Sequence, residues 1–128
     1  MLGDRNKLIY VSGPYTAPTD NEINENIQRA EDIAVMLMRN GFDVITPHKN
    51  TAGYQQYEFT HERYLEQDIN ILSRCDAILM MNNWRKSKGA CIEMEYARTE
   101  NIPIIYSNIL NGVKSEDVHK YVSLMMGE

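Results

Sequence analysis

Cysteine is scarce in this chain of 128 residues: Cys75 and Cys91 are the only two, and they lack C-x-x-C spacing. Such scarcity argues against a disulfide scaffold or a cysteine-built zinc site, and reads as two buried thiols in a cytoplasmic protein. His48, His61 and His119 show no ligand spacing either, so no metal centre is expected. An excess of positive charge is also missing. Thirteen Lys and Arg face 18 Asp and Glu, and the net charge of −5 offers nothing to nucleic acid or an anionic membrane. No apolar run nears the roughly 20 residues of a membrane span, and the opening Met-Leu-Gly-Asp-Arg-Asn-Lys has no hydrophobic signal core behind it. Neither G-x-G-x-x-G nor G-x-x-x-x-G-K-[ST] occurs, which removes the dinucleotide fingerprint and the P-loop.

What is present is ordinary globular usage, 43% apolar and 24% charged, enough for one domain over residues 1–128. Strands and helices alternate along it. Lys7 to Ser12 reads as a strand ended by Gly13-Pro14. Thr19-Asp-Asn-Glu22 has capping-box form, and Ile23, Ile27, Ala30, Ala34, Leu37 and Met38 give the following helix an apolar face closed by Asn40-Gly41. Phe42 to Thr46 predicts a second strand, stopped by Pro47, and residues 48–57 a loop long enough to cover a site. A helix is expected from about Glu58 to Arg74 with Leu65, Ile69 and Leu72 inward. A strand over 77–81, a helix carrying Glu93, a strand over 102–106 and a last helix over 115–126 follow. Alternation of this kind implies a parallel sheet with helices on both faces and right-handed crossovers. Ligands in such sheets bind beyond the carboxyl ends of the strands, where strand order reverses. Should the first and third strands be neighbours there, residues 12–15 and 82–87 line one crevice; the pattern itself leaves strand order open.

The most informative stretch is Ser87-Lys-Gly89-Ala-Cys-Ile-Glu93, which follows the 77–81 strand and opens a helix. Arg85, Lys86 and Lys88 crowd this turn in an otherwise acidic chain. Cations, a hydroxyl and helix-start amides together make an anion site. Glu93 shares its helix face with Ala90 and Ala97, whereas Glu95, about 200° round, points elsewhere. A glutamate near a helix start is also explained by the helix dipole alone. Asp68 lies at the margin of an apolar helix face, either reaching water or held in a pocket that must extend down between helix and sheet. Tyr10 and Ser12 project to one face of their strand, though a strand tyrosine is usually core. His48 and Trp84 each follow a strand end and either pack or stack on a planar base.

These residues resemble the nucleoside 2-deoxyribosyltransferase superfamily, and within it the small 2′-deoxynucleoside 5′-monophosphate N-glycosidases and a group of short phage and bacterial relatives. The resemblance runs along nearly the whole chain. It rests on Ile9-Tyr10-Val-Ser-Gly13, Thr46-Pro-His48, Asp68 eight residues before Asp76, and Ser87-x-Gly89-x-x-x-Glu93-x-x-x-Ala97. It implies a flavodoxin/Rossmann-like α/β domain with four to five parallel strands, no cofactor, and a homo-oligomer whose neighbour helps close each site. It further implies that Glu93 attacks the anomeric carbon, that Asp68 handles protons and sugar contacts, that Tyr10 orients Glu93, and that Ser87 meets a 5′-phosphate. Ser12, Gly13, Tyr15, His48, Asn82, Trp84, Ser87 and Gly89 are the expected substrate contacts. The chain departs from the glycosidase pattern at Gly13-Pro-Tyr-Thr-Ala-Pro18, which replaces a turn carrying an arginine and more glycines.

The chemistry fits the residues independently. Breaking an N-glycosidic bond develops positive charge on the sugar, which a nearby carboxylate stabilises or captures. A second acid with a separated pKa then supplies the proton the departing base needs. The expectation is cleavage at the N-glycosidic bond of a (deoxy)nucleoside 5′-monophosphate, by hydrolysis rather than base transfer. A non-catalytic nucleotide-binding module and a glycohydrolase of NAD-like dinucleotides are the alternatives.

Overall fold

The computed structural model describes residues 5–47 and 57–127. Four parallel strands form one sheet: β1 (Leu8–Ser12), β2 (Asp43–Ile45), β3 (Ala77–Met80) and β4 (Ile104–Tyr106), in the order β2-β1-β3-β4. Among the described residues four α-helices cover it, α1 (Asp20–Arg39), α2 (His61–Leu72), α3 (Lys88–Thr99) and α4 (Val118–Met125). The fold is the expected α/β architecture of Rossmann or flavodoxin type. Strand order reverses between β1 and β3, where Ile9, Tyr10, Val11 and Ser12 pair with Ala77, Ile78, Leu79 and Met80.

The alternation of β1 decides which helix lies where. Ile9 and Val11 point into a core shared with Ala30 and Leu37 of α1 and with Val118 and Val122 of α4. Tyr10 points the other way, into a core with Leu72 of α2 and Ala90 and Ala97 of α3. Helices therefore lie on both faces, α1 opposite α2 and α3, as one crossover hand requires when the chain reverses direction along a sheet. On the first of these faces the side chains of β1 are apolar. The other carries the polar groups of β1.

Caps fix the helix starts. The Thr19 side chain accepts from the Glu22 amide at 3.2 Å, and the Ser87 hydroxyl accepts from the Ala90 amide at 3.0 Å. Thr60 caps α2 by accepting from Arg63 at 3.1 Å, so this helix begins later than the expected Glu58, whose φ of 56° lies in the left-handed region. Gly41 closes α1 with a φ of 87°. Other boundaries also differ. The strand expected from Ile102 begins at Ile104, because the Ile102 amide is still bonded to the Ala97 carbonyl as part of the α3 exit. The last helix begins with a 3-10 turn at Ser115–Asp117 before turning α-helical. Met38, expected inward, is 63% exposed; it is one residue past Leu37 and hence about 100° off the buried stripe, which Ile33 completes instead. The expected loop lies mostly outside the described residues. No described helix is long and apolar enough to cross a membrane.

Candidate active site

Glu93 is 6% exposed, and each of its carboxylate oxygens accepts a hydrogen bond. It sits on the second turn of α3, on the face that packs against the sheet beside β1. The Tyr10 phenol donates to its Oε2 at 2.6 Å, and the Ser12 hydroxyl donates to its Oε1 at 2.7 Å. Burial pushes the Glu93 carboxyl above the usual range, while the two hydrogen bonds pull it back down. Glu95 lies on the solvent side, paired with Arg98 at 2.8 Å.

Glu93 forms part of the wall of a cavity of ≈610 Å³ at the carboxyl end of the sheet. Ser12 and the turn Gly13 to Thr16 form one side of it, and Lys86 to Ala90 at the α3 start form another. The third side is α2, through His61, Tyr64, Leu65 and Asp68. Positions 61, 64, 65 and 68 share one helix face, so α2 presents a column from the mouth down to Asp68. The cavity thus descends between α2 and α3, which is how a residue in the middle of a helix reaches the site. Asp68 is pushed up to about 7, mainly by burial and then by the charge of Glu93. Burial and the same charge hold the proton on Tyr10 far above the ordinary phenol range. One strand tyrosine and two carboxyls form a single electrostatic cluster.

Of the residues singled out from sequence, Ser12, Gly13, Tyr15, Asp68, Ser87, Gly89 and Glu93 lie around this cavity, and Tyr10 lies behind Glu93. Asn82 and Trp84 do not. They line a separate cavity of ≈310 Å³ near Tyr106 and Ile109. Trp84 is 8% exposed and packs in the α2/α3 core, and Asn82 accepts from the Ser107 hydroxyl at 2.7 Å. The Arg85 guanidinium stacks over Trp84 at 4.7 Å, so only Lys86 and Lys88 of the three cations edge the main cavity. His48 lies outside the described residues.

Sequence reasoning missed the aromatic end of the cavity. Phe59 is 52% exposed and meets Tyr64 edge-on at 5.9 Å, with His61 and Pro47 nearby in the wall. Tracing the face of Asp68 back by seven, four and three residues reaches His61, Tyr64 and Leu65, and that spacing was the available signal. Leu65, expected in the core, faces the cavity. The Tyr15 carbonyl accepts from the buried Asn26 amide of α1 at 3.3 Å, which ties the 13–16 turn to the opposite layer. Among the described residues, no group of three or more His, Cys, Asp or Glu could hold a metal ion.

A doubly wound sheet with a buried glutamate beside its switch point defines the class, and solved structures share the fold. The chain is similar to the 2-deoxyribosyltransferase of the psychrotolerant bacterium Bacillus psychrosaccharolyticus, with a TM-score of 0.63 and 16% identity over 92% of this chain and 95% of that one. It is also similar to a conserved protein of Enterococcus faecalis V583, with a TM-score of 0.59 and 16% identity over 96% of this chain and 87% of that one. Residues 7–106 match the model of a family described as a domain of unknown function, DUF4406, and the chain belongs to that family. No curated protein matches the sequence.

Proposed function

We propose that this protein cleaves the N-glycosidic bond of a (deoxy)nucleoside 5′-monophosphate, with Glu93 as nucleophile and Asp68 as proton donor and acceptor. The observation that carries the reading is the Glu93 carboxylate, buried at a cavity wall with a donor on each oxygen. The two donors favour its charged form against burial, which suits it to a positive centre in a ligand. The fold shared with a 2-deoxyribosyltransferase supports nucleoside chemistry in general. The phosphate is our inference from the Ser87 cap, the amides behind it and the flanking Lys86 and Lys88. The aromatic side chains of Phe59 and Tyr64 in the same cavity wall suit a base.

In this mechanism a Glu93 oxygen forms a bond to the anomeric carbon as the bond from that carbon to the base nitrogen breaks. Asp68 gives its proton to the departing base. Water then attacks the glycosyl ester, losing its proton to Asp68 and releasing Glu93 as a carboxylate. A small-molecule nucleotide is thus the partner, and hydrolysis follows when water rather than a second base enters.

The test is chromatography for free base after incubation with the common nucleoside monophosphates and their parent nucleosides. Base should appear from at least one monophosphate. Glu93→Gln keeps shape but removes charge, and should lower turnover by at least about a hundredfold with binding retained. Glu95→Gln should behave as wild type. Equal losses from the two substitutions, or no base from any monophosphate, would sink the reading.

A further inference from the structure

We infer that Ser12 is a positioning residue for Glu93, clamping the second carboxylate oxygen, rather than a donor to the substrate. This rests on the reading of Glu93 as nucleophile. Tyr10 and Ser12 are two residues apart on β1, so their hydroxyls leave the strand on one face. The phenol is long and the serine short. Glu93, coming from α3, lies across both, with Oε2 at 2.6 Å from Tyr10 and Oε1 at 2.7 Å from Ser12. A serine hydroxyl has one hydrogen to give, and this one is given to Glu93. Ser12 is also only 1% exposed, although it stands in the same cavity wall as Glu93.

The two clamps do different work from one. The terminal torsion of a glutamate is broad, so a single donor leaves the carboxylate plane free to swing. A second donor on the other oxygen fixes that plane and fixes which lone pairs face the cavity. Each bond also favours the charged form against burial. The other groups facing Glu93 leave this task to β1. Asp68 and, higher up, His61 come from α2, and Lys86 and Lys88 stand at the α3 start; the described hydrogen bonds to Glu93 come from Tyr10 and Ser12 of β1.

Carbon-13 NMR titration of protein labelled at the glutamate carboxyls tests this without substrate, the Glu93 signal being identified by its loss in Glu93→Gln. Losing one donor to a charged group corresponds to about one to two pH units. Ser12→Ala should raise the Glu93 midpoint by that amount, as should Tyr10→Phe. In the base-release assay at pH 6, Ser12→Ala should lower kcat about tenfold or more with KM within about twofold. Ser12→Cys, close in shape but a weak donor, should titrate between wild type and Ser12→Ala, and stands in if the alanine variant does not fold. An unmoved midpoint overturns the inference. So does a raised KM with an unmoved midpoint, which would make Ser12 a substrate contact. Retained turnover in Glu93→Gln would instead remove the nucleophile assignment, while the midpoint comparison still decides on Ser12.

Discussion

Asp68 and Glu93 are two carboxyls in one cavity, and burial raises both. Glu93 receives two hydrogen bonds that favour its anion. Asp68 is raised to about 7 by burial and by the negative charge of Glu93. In the proposed mechanism Glu93, with its two donors, serves as the anion and Asp68 as the acid, and the coupled pair titrates as a unit. Activity should therefore fall as pH rises through about 7, where the pair gives up the proton the departing base needs. A kcat/KM profile from pH 5 to 9 checks it, and Asp68→Asn should abolish the alkaline limb along with about a hundredfold or more of the rate. A wild-type profile flat from pH 6 to 9 would exclude Asp68 as the acid. The small-residue neighbours of Glu93 showed in sequence which way it faces, but its helix position was explained equally well by the dipole, and the family resemblance singled it out. Asp68 was legible only as ambiguous, because the period of α2 shows which face a residue is on but not whether that face meets solvent, core or cavity.

At the scale of elements, the start of α3 is where sequence and structure agree most fully. Ser87 was expected to cap it and does, accepting from Ala90 at 3.0 Å. A Cβ on Gly89 would meet nothing closer than the Ser87 hydroxyl at 3.8 Å, so the protein itself does not demand glycine there. Open space at a helix start leaves room for a ligand close to the amides. Ser87→Ala should erode a monophosphate-over-nucleoside preference of at least about tenfold, or roughly 1.4 kcal/mol. A variant that loses about 1 kcal/mol of stability yet keeps the full preference would show capping alone. Comparing kcat/KM for the two substrates in wild type and variant separates these. The elements themselves were readable because periods of 2 and 3.6, caps and glycines are local. Strand order was not, since it depends on which strand edges meet across the chain. Trp84 and Arg85 were misplaced for a related reason. Their stacking at 4.7 Å satisfies both, and nothing in the run of residues 82–88 distinguishes a cation over indole from a cation at a site.

For the molecule as a whole, a raised carboxyl is a liability that varies with pH. Folded Asp68 keeps its proton up to about 7, whereas an unfolded chain releases it near the ordinary value of 3.8. Between those values the folded state binds more protons, so stability falls as pH rises through the interval and stays lower above it. Glu93 is displaced in the same direction. Asp68→Asn should melt at a higher temperature than wild type at pH 8, with the difference shrinking toward pH 4. Thermal unfolding at both pH values measures it, and a difference that grows toward acid would contradict it. Gly13, at the exit of β1, has a consequence on the same scale. A methyl group there would lie 2.5 Å from Met81 Sδ and 2.9 Å from Met81 Cβ. The ends of β1 and β3 are thus drawn together at the switch point with only a hydrogen atom between them. Any side chain at that position would act as a wedge, prying apart the tip of the strand from which both hydroxyls of the Glu93 cradle hang. The smallest residue in the alphabet thus holds one wall of the ≈610 Å³ cavity in line.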